Sequence, residues 1–366
     1  MKHRPALALL AAVLMTSSAS AAVGGYAQAT GGGNAKPVIV RDKYEMQDAI
    51  NDYSGSGGLV LLYTGKFDPA PILADVCGQW RKSTVELVIN DKRDITILGA
   101  DGSSANFGIR IKGFASNIIV RNMSIGLVPG GANNGDAIGI EGRANHIWID
   151  HNELYSQRIH CPYTPGDDTT FDGLLDIRDN VDHITISYNY IHDHDKVGLN
   201  GSSDRDTPDR HITYAHNWYR NVGQRLPLQR GGFSHIYNNY YDGIAEHGIN
   251  VRMGGFALIE GNRFENARNP VTSRLSPKTG DWELRDNNIA SPADFERFGI
   301  TWSPARSGPS RDATDWASTS KFPQPLPYAY TVQPAALVKC LAMATAGQGK
   351  QLAEVDAALL GCNATR

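Results

Sequence analysis

The sequence predicts an all-β fold, a right-handed parallel β-helix, on three observations. Short segments repeat through the middle of the chain: NIIVRNMSIG, NHIWIDHNELYS, DHITISYNYIHD, RHITYAHNWYRN, SHIYNNYYDG, FALIEGNRFENA and DWELRDNNIA. Each aligns on one asparagine, namely Asn122, Asn152, Asn189, Asn217, Asn239, Asn262 and Asn287, at spacings of 22–30 residues and once 37. Within each copy, apolar and polar residues alternate with the period of a strand: an apolar residue lies three before the asparagine (Ile119, Ile149, Ile186, Tyr214, Ile236, Ile259, Leu284), and from the second copy on another lies two after it (Leu154, Ile191, Tyr219, Tyr241, Phe264, Ile289). A fixed period of one or two short strands marks a solenoid, because one copy cannot bury its own apolar face and successive copies must stack. Stacked copies lie about 4.8 Å apart, so like residues form internal columns and the asparagines a hydrogen-bonded ladder in a turn where a left-handed backbone is tolerated.

The ends of the chain read differently. Residues 1–21 have the form of a secretory signal peptide: Lys2 and Arg4, an apolar run from Ala6 to Met15, and a small-residue cleavage site, Ala19-Ser20-Ala21. The run is too short to span a membrane, so a secreted, extracellular protein is expected. Residues 22–36 read as a flexible leader, and KYEMQDAINDY (43–53) as an amphipathic helix capping the first coil. The repeat fades after about residue 290, and AALVKCLAMATA reads as a helix of a C-terminal wrapping segment. Residues 22–366 are thus expected to form a single β-helix domain. The irregular spacings mark loops inserted between coils, and such loops tend to gather on one, binding, face.

The 38 acidic and 35 basic residues carry no basic excess of the kind that nucleic-acid binding needs. No later segment is long and apolar enough for a membrane span, and a monomer with neither partner is expected. Four cysteines in an exported chain favour disulfides. Three pairings are possible; the nearness of Cys340 and Cys362 favours that pair, leaving Cys77 with Cys161, and free buried thiols are the other reading.

Three clusters carry chemistry. NNGDAIGI holds Asp136; DDTTFDGLLDIRD holds Asp168, Asp172 and Asp176; and DHDKVGLNGSSD with the following QRLPLQRGG holds Lys196, Arg225 and Arg230. Asp172 and Asp176, an even number of residues apart, fall on one side of an extended chain. With Asp136 from the adjoining coil they form an all-oxygen pocket suited to Ca²⁺. Cations beside it suit an anionic ligand bridged between them and the metal. Pro227 fixes a bend, and Gly231 and Gly232 let the backbone turn into the next coil. The blander readings are a solvated acidic face, ion-pairing arginines and ordinary surface cations. Asp150 reads as structural, the Tyr219–Tyr241–Phe264 column as core stacking, and His192 with His194 as too few ligands for a transition metal.

GIEGRANHIWIDHNEL, DHITISYNYIHDHDKVGLNGSSD, HITYAHNWYRNVGQRLPLQRGG and NPVTSR together resemble the extracellular pectate lyases of the parallel β-helix type, from about residue 95 to the C-terminal cysteines. The resemblance implies that Asp136, Asp172 and Asp176 bind calcium, that Arg225 abstracts the proton, and that Lys196 and Arg230 grip substrate carboxylates. It further implies substrate-binding roles for Arg178 and Arg252, and a calcium contact in the substrate complex for Asp168. Where some members carry another aspartate this chain has Asn134, which removes a charge and weakens resting calcium affinity. The resemblance agrees with the pairs Cys77–Cys161 and Cys340–Cys362. It implies cleavage of the polygalacturonate of plant cell walls by β-elimination, with an alkaline optimum because arginine must be neutral to act as a base. A pectin lyase would lack the calcium aspartates. A polygalacturonase would need paired acid–base carboxylates. A non-catalytic β-helix polysaccharide-binding protein would have no reason to gather three cations beside three aspartates.

Overall fold

Strands of two to eight residues, too short to enclose a core singly, reach stability here by coiling. The computed structural model describes residues 25–77, 86–130, 135–159, 161, 170–350 and 361–362; the expected signal peptide, Asn134 and Asp168 lie outside them. The strands form three sheets of ten, six and nine strands, and from Ser116–Arg121 to Val271–Ser273 each coil visits the first, second and third sheet in turn. One coil, for example, runs through Asn145–Asp150, Glu153–Tyr155 and Leu175–Ile177 before Asp182–Ser187 rejoins the first sheet. Among the described strands all pairing is parallel except that of Val271–Ser273 with Arg311–Asp312.

The interior is built from the predicted columns. Ile149, Ile186, Tyr214, Ile236, Ile259 and Leu284 pair in register along the first sheet. Leu154, Ile191, Tyr219, Tyr241 and Phe264 do so along the second. The Tyr219, Tyr241 and Phe264 rings stack 4.9 and 4.7 Å apart and nearly parallel, inside the core rather than in a sugar site.

At the turn between these sheets the asparagine ladder runs from Asn152 through Asn189, Asn217, Asn239 and Asn262 to Asn287. Each Oδ1 accepts from the backbone N–H and Nδ2 of the asparagine before it in this order. Two expectations are corrected. Asn122 is one residue out of register: Arg121 pairs with Asp150 and Val120 with Ile149, so Val120, not Ile119, stands in the apolar column. Met123 takes the ladder position, its N–H donating to Asn152 Oδ1. The left-handed residue of each turn is the one before the ladder asparagine: Asn122, His151, Tyr188, His216, Asn238, Gly261 and Asp286. The ladder thus selects asparagine for its amide, not for its backbone.

The helix Lys43–Asp52 buries Met46 and Ile50 over the first coil, its N-terminus capped by Asp42. Residues 25–36, part of the expected flexible leader, are bonded to the outer face of the first sheet. The N–H groups of Tyr26, Ala27 and Gly32 donate to Thr213, Thr185 and Thr96, and Tyr26 and Ala27 are buried. Phe295, Ile300 and Trp316 close the far end of the core, while the helix Ala335–Thr345 packs its Val338 and Ala342 on Tyr240, outside the second sheet. Both disulfides, Cys77–Cys161 and Cys340–Cys362, are formed.

Candidate active site

The site grows from the third sheet and from the turns that lead into it. The strand Tyr190–Lys196 of the second sheet passes into Leu199–Asn200 through Val197-Gly198, and the strand Trp218–Gln224 passes into Leu228–Arg230 through Arg225-Leu226-Pro227. Stacking sets these turns one above the other. Lys196 pairs with Gln224, the Val197 N–H donates to the Gln224 carbonyl, and the Gly198 N–H to the Arg225 carbonyl.

Arg225 has φ 68°, in the left-handed region that an arginine rarely adopts. The Leu226–Pro227 peptide is cis, and the Leu226 N–H donates to the Gly248 carbonyl of the next coil. Arg225 lines a small cavity with Leu175, Val197, Tyr214 and Tyr219, and its Nε is buried with no hydrogen-bond partner. Gly231 and Gly232 have φ 64° and 63° and close against the backbone of Thr207 and Arg210, so the turn the sequence assigned to them is needed.

Arg230 is fixed from below. Its Nε lies 2.9 Å from Asp204 Oδ1, and Nη1 donates to the Gly201 carbonyl. It pairs in register with Arg252, so two guanidinium groups leave adjacent strands at the same level. Arg252 is buried, and its Nε lacks a partner. Burial first, then the charges of Arg230 and Arg225, push its guanidinium down to about 9. A bound carboxylate would relieve that crowding.

The acidic half lies in the two coils below. Asp136 enters the strand Ile138–Ile140, and Asp176 lies within Leu175–Ile177, paired with Gly139. Both side chains are buried. Arg178 Nη2 bridges them, 2.8 Å from Asp136 Oδ2 and 2.9 Å from Asp176 Oδ2. Their Oδ1 atoms are buried without a hydrogen-bond partner and face Gly173, where a Cβ would lie 2.5 and 3.0 Å from them. Burial and then the Asp176 charge hold the Asp136 carboxyl well above the usual carboxylate range, against the pull of Arg178; Asp172 adds in the same sense. Burial opposes the charge on Arg178, but Asp136 and Asp176 raise it above its ordinary value.

One guanidinium therefore leaves this pair short of positive charge. Among the described residues no three His, Cys, Asp or Glu side chains form a ready metal cage. Two orphaned carboxylate oxygens, a side-chain-free floor and an all-oxygen donor set nevertheless fit a hard divalent cation.

Of the expected residues, Asp136, Asp176 and Arg178 are brought into direct contact, Asp172, next to Gly173 in the chain, adds its charge to theirs, and Lys196, Arg225, Arg230 and Arg252 line the next coils. Sequence reasoning missed Gly173 as the floor and Asp204 as the anchor of Arg230, and it weighed His194 only as a metal ligand, whereas its Nε2 meets the Asp172 carbonyl at 3.2 Å. Burial pushes that imidazole down to about 4. The signal for His194 was a polar residue at an interior position of its strand.

The family model described as pectate lyase matches residues 3–351. The chain belongs to the pectate lyase family. Pectate lyase 1 of Pectobacterium carotovorum is 47% identical over 96% of both chains, and pectate lyase C of Dickeya chrysanthemi 46% identical over 94% of this chain and 95% of its own. Among solved structures, pectate lyase II of Xanthomonas campestris pv. campestris is 50% identical, with a TM-score of 0.83 over 90% of this chain and 98% of its own. Pectate lyase C of Erwinia chrysanthemi, solved with Ca²⁺, is 44% identical, with a TM-score of 0.85 over 90% and 97%. A mutant of pectate lyase C was solved in complex with pentagalacturonic acid. This pectate lyase is accordingly a polysaccharide lyase on a parallel β-helix.

Proposed function

We propose that this pectate lyase cleaves α-1,4-polygalacturonate of plant cell walls by calcium-dependent β-elimination, releasing 4,5-unsaturated oligogalacturonides from within the chain, at alkaline pH and outside the cell. One observation carries the reading: two buried carboxylates with unpartnered oxygens lie beneath successive coils that present Lys196, Arg225, Arg230 and Arg252. A polyanionic substrate needs both halves.

Asp136, Asp172 and Asp176 would hold Ca²⁺. When bound, the ion neutralises the substrate carboxylate and so acidifies the neighbouring C5–H. Arg225, as the neutral guanidine, takes the C5 proton. The C–H electron pair becomes the C4–C5 double bond, the C4–O bond breaks, and the leaving oxygen takes a proton from water. Lys196 and Arg230 stabilise charge as it gathers on the carboxylate oxygens, and Arg178 and Arg252 orient neighbouring residues. Asp168 would add a calcium contact once substrate is bound, and Asn134 would weaken binding before that. The alkaline optimum follows from the base, since only deprotonated Arg225 can act.

Absorbance of the unsaturated product, followed on polygalacturonate with calcium, with EDTA and after calcium is restored, tests the reading. Activity lost with EDTA and regained with calcium is expected. Undiminished activity in EDTA would overturn the calcium role. Activity confined to methyl-esterified pectin would make the protein a pectin lyase, and no product at all a binding protein.

A further inference from the structure

His194 occupies a place where an aliphatic residue would serve the core. It pairs in register with Val222, and Val222 with Ile244, both buried, so the position belongs to an interior column of the second sheet. A polar ring there requires partners. Two come from the preceding coil: Nε2 lies 3.2 Å from the Asp172 carbonyl, and Nδ1 2.5 Å from Ser156 Oγ, and the Lys196 backbone of its own strand adds a third. A carbonyl only accepts, so the contact to Asp172 is made by an Nε2–H, while the Ser156 hydroxyl stands between Nδ1 and the Asp193 carbonyl.

The carbonyl it holds is no ordinary one. Asp172 and Gly173 lead into the strand Leu175–Ile177, and Gly173 is the floor that faces Asp136 Oδ1 and Asp176 Oδ1. Gly173 has no side chain to anchor it. From the coil before, the Ala137 N–H donates to its carbonyl; from the coil after, His194 holds the residue beside it. The strand that carries His194 ends two residues later at Lys196. One ring thus links the acidic cradle to the strand that presents a cation.

We propose that His194 is a positioning residue: through the Asp172 carbonyl it fixes the Asp172–Gly173 segment and so sets the affinity of the cradle for calcium. The proposal rests on the calcium-dependent reading above. A ring that merely filled the core would govern stability and leave calcium affinity alone.

Calorimetric titration of Ca²⁺ into the metal-free protein, without substrate, decides between these roles for wild type, His194→Gln, His194→Asn and His194→Leu. Thermal melting and lyase assays over a calcium series accompany it. The glutamine amide reaches the place of Nε2 and can donate to the same carbonyl; asparagine stops short and leucine cannot donate. His194→Gln is expected to stay within about threefold of wild type, and the other two to bind calcium about 10–100-fold more weakly, the range found for groups that orient metal ligands. Saturating calcium should restore kcat in both while their half-saturation stays shifted.

Wild-type calcium affinity in His194→Leu, or equal weakening in all three variants, would overturn the proposal. If His194→Leu does not fold, the glutamine and asparagine pair decides. A wild type that neither binds calcium nor needs it overturns the calcium reading and this proposal together, whereas a calcium-dependent wild type with indifferent variants overturns only the role of His194.

Discussion

At Arg225 the backbone and the side chain are both held in states they would not choose. A left-handed arginine costs of order 1–3 kcal/mol and persists only where the surroundings impose it, as the inter-coil bonds to Gly198 and Gly248 do here. The motif made this residue legible, but the strain was not, because it arises from the coils on either side. Arg225→Lys keeps a positive charge and loses the guanidine. If Arg225 is the base, kcat should fall by at least about 100-fold, the lower end for a general base, with calcium affinity unchanged. Near-wild-type turnover in a steady-state assay would remove it from that role. Asp150 shows the opposite kind of site. It is fully buried and accepts from Ser187 Oγ, His151 Nδ1 and Arg121 Nε at 2.6–2.8 Å. Burial alone would raise its carboxyl, but His151 and Arg121 hold it below the usual range. All these partners are structural, as the turn motif suggested.

Elements became readable where stacking forces like residues into line. From Asn152 onward the alignment on asparagine gives the true register, because each amide must meet the next. It fails at Asn122, where a left-handed turn asparagine imitates a ladder asparagine one position away. The site's cross-coil contacts were illegible for a related reason: loops of unequal length set which residue of one coil meets which of the next. Neither Arg178 bridging two aspartates nor His194 meeting Asp172 has a signature in either segment alone. The ladder has a measurable consequence. Asn217 accepts from the Asn189 N–H and Nδ2, and donates to Asn239 Oδ1 and the Ile186 carbonyl. Asn217→Ala strands several of these buried groups, each worth about 1–3 kcal/mol when unmade, so a loss of about 3 kcal/mol or more is expected in denaturant unfolding. A loss below about 1 kcal/mol would mean that the ladder follows the coil rather than holding it.

Across the whole molecule, titratable groups buried in the fold set the pH window in which it stands. His216 and His247 are pushed down to about 3, by burial first and then by neighbouring charges, while unfolded histidine titrates near 6.5. The unfolded chain therefore binds more protons than the fold at lower pH, and stability declines as the pH falls from about 6.5 toward 3. Glu265 acts in the same direction over a lower range. Burial works against its charge, but Lys339, Tyr240 and Arg263 hold it at about 2, so its contribution is present above about 4.5 and lost on acidification through 2. On the alkaline side, burial pushes Tyr26 and Tyr63 up to about 12, and Tyr219 higher still. Their stabilisation is complete below the unfolded value near 10 and is lost as the pH rises through 12. Arg252 opposes this limb: its buried charge burdens the fold below about 9, and the burden fades as the pH rises toward 12.5. The melting temperature should accordingly be highest between about 6.5 and 9, lowered within that range by the burdened carboxyl of Asp136 as it ionises, and fall on both sides. Scanning calorimetry across pH 3 to 11 checks this, and a maximum near pH 5 would contradict it. The protein is expected to stay folded across that range, so a lyase rate that climbs across it reports the deprotonation of groups at the site and not the recovery of folded protein.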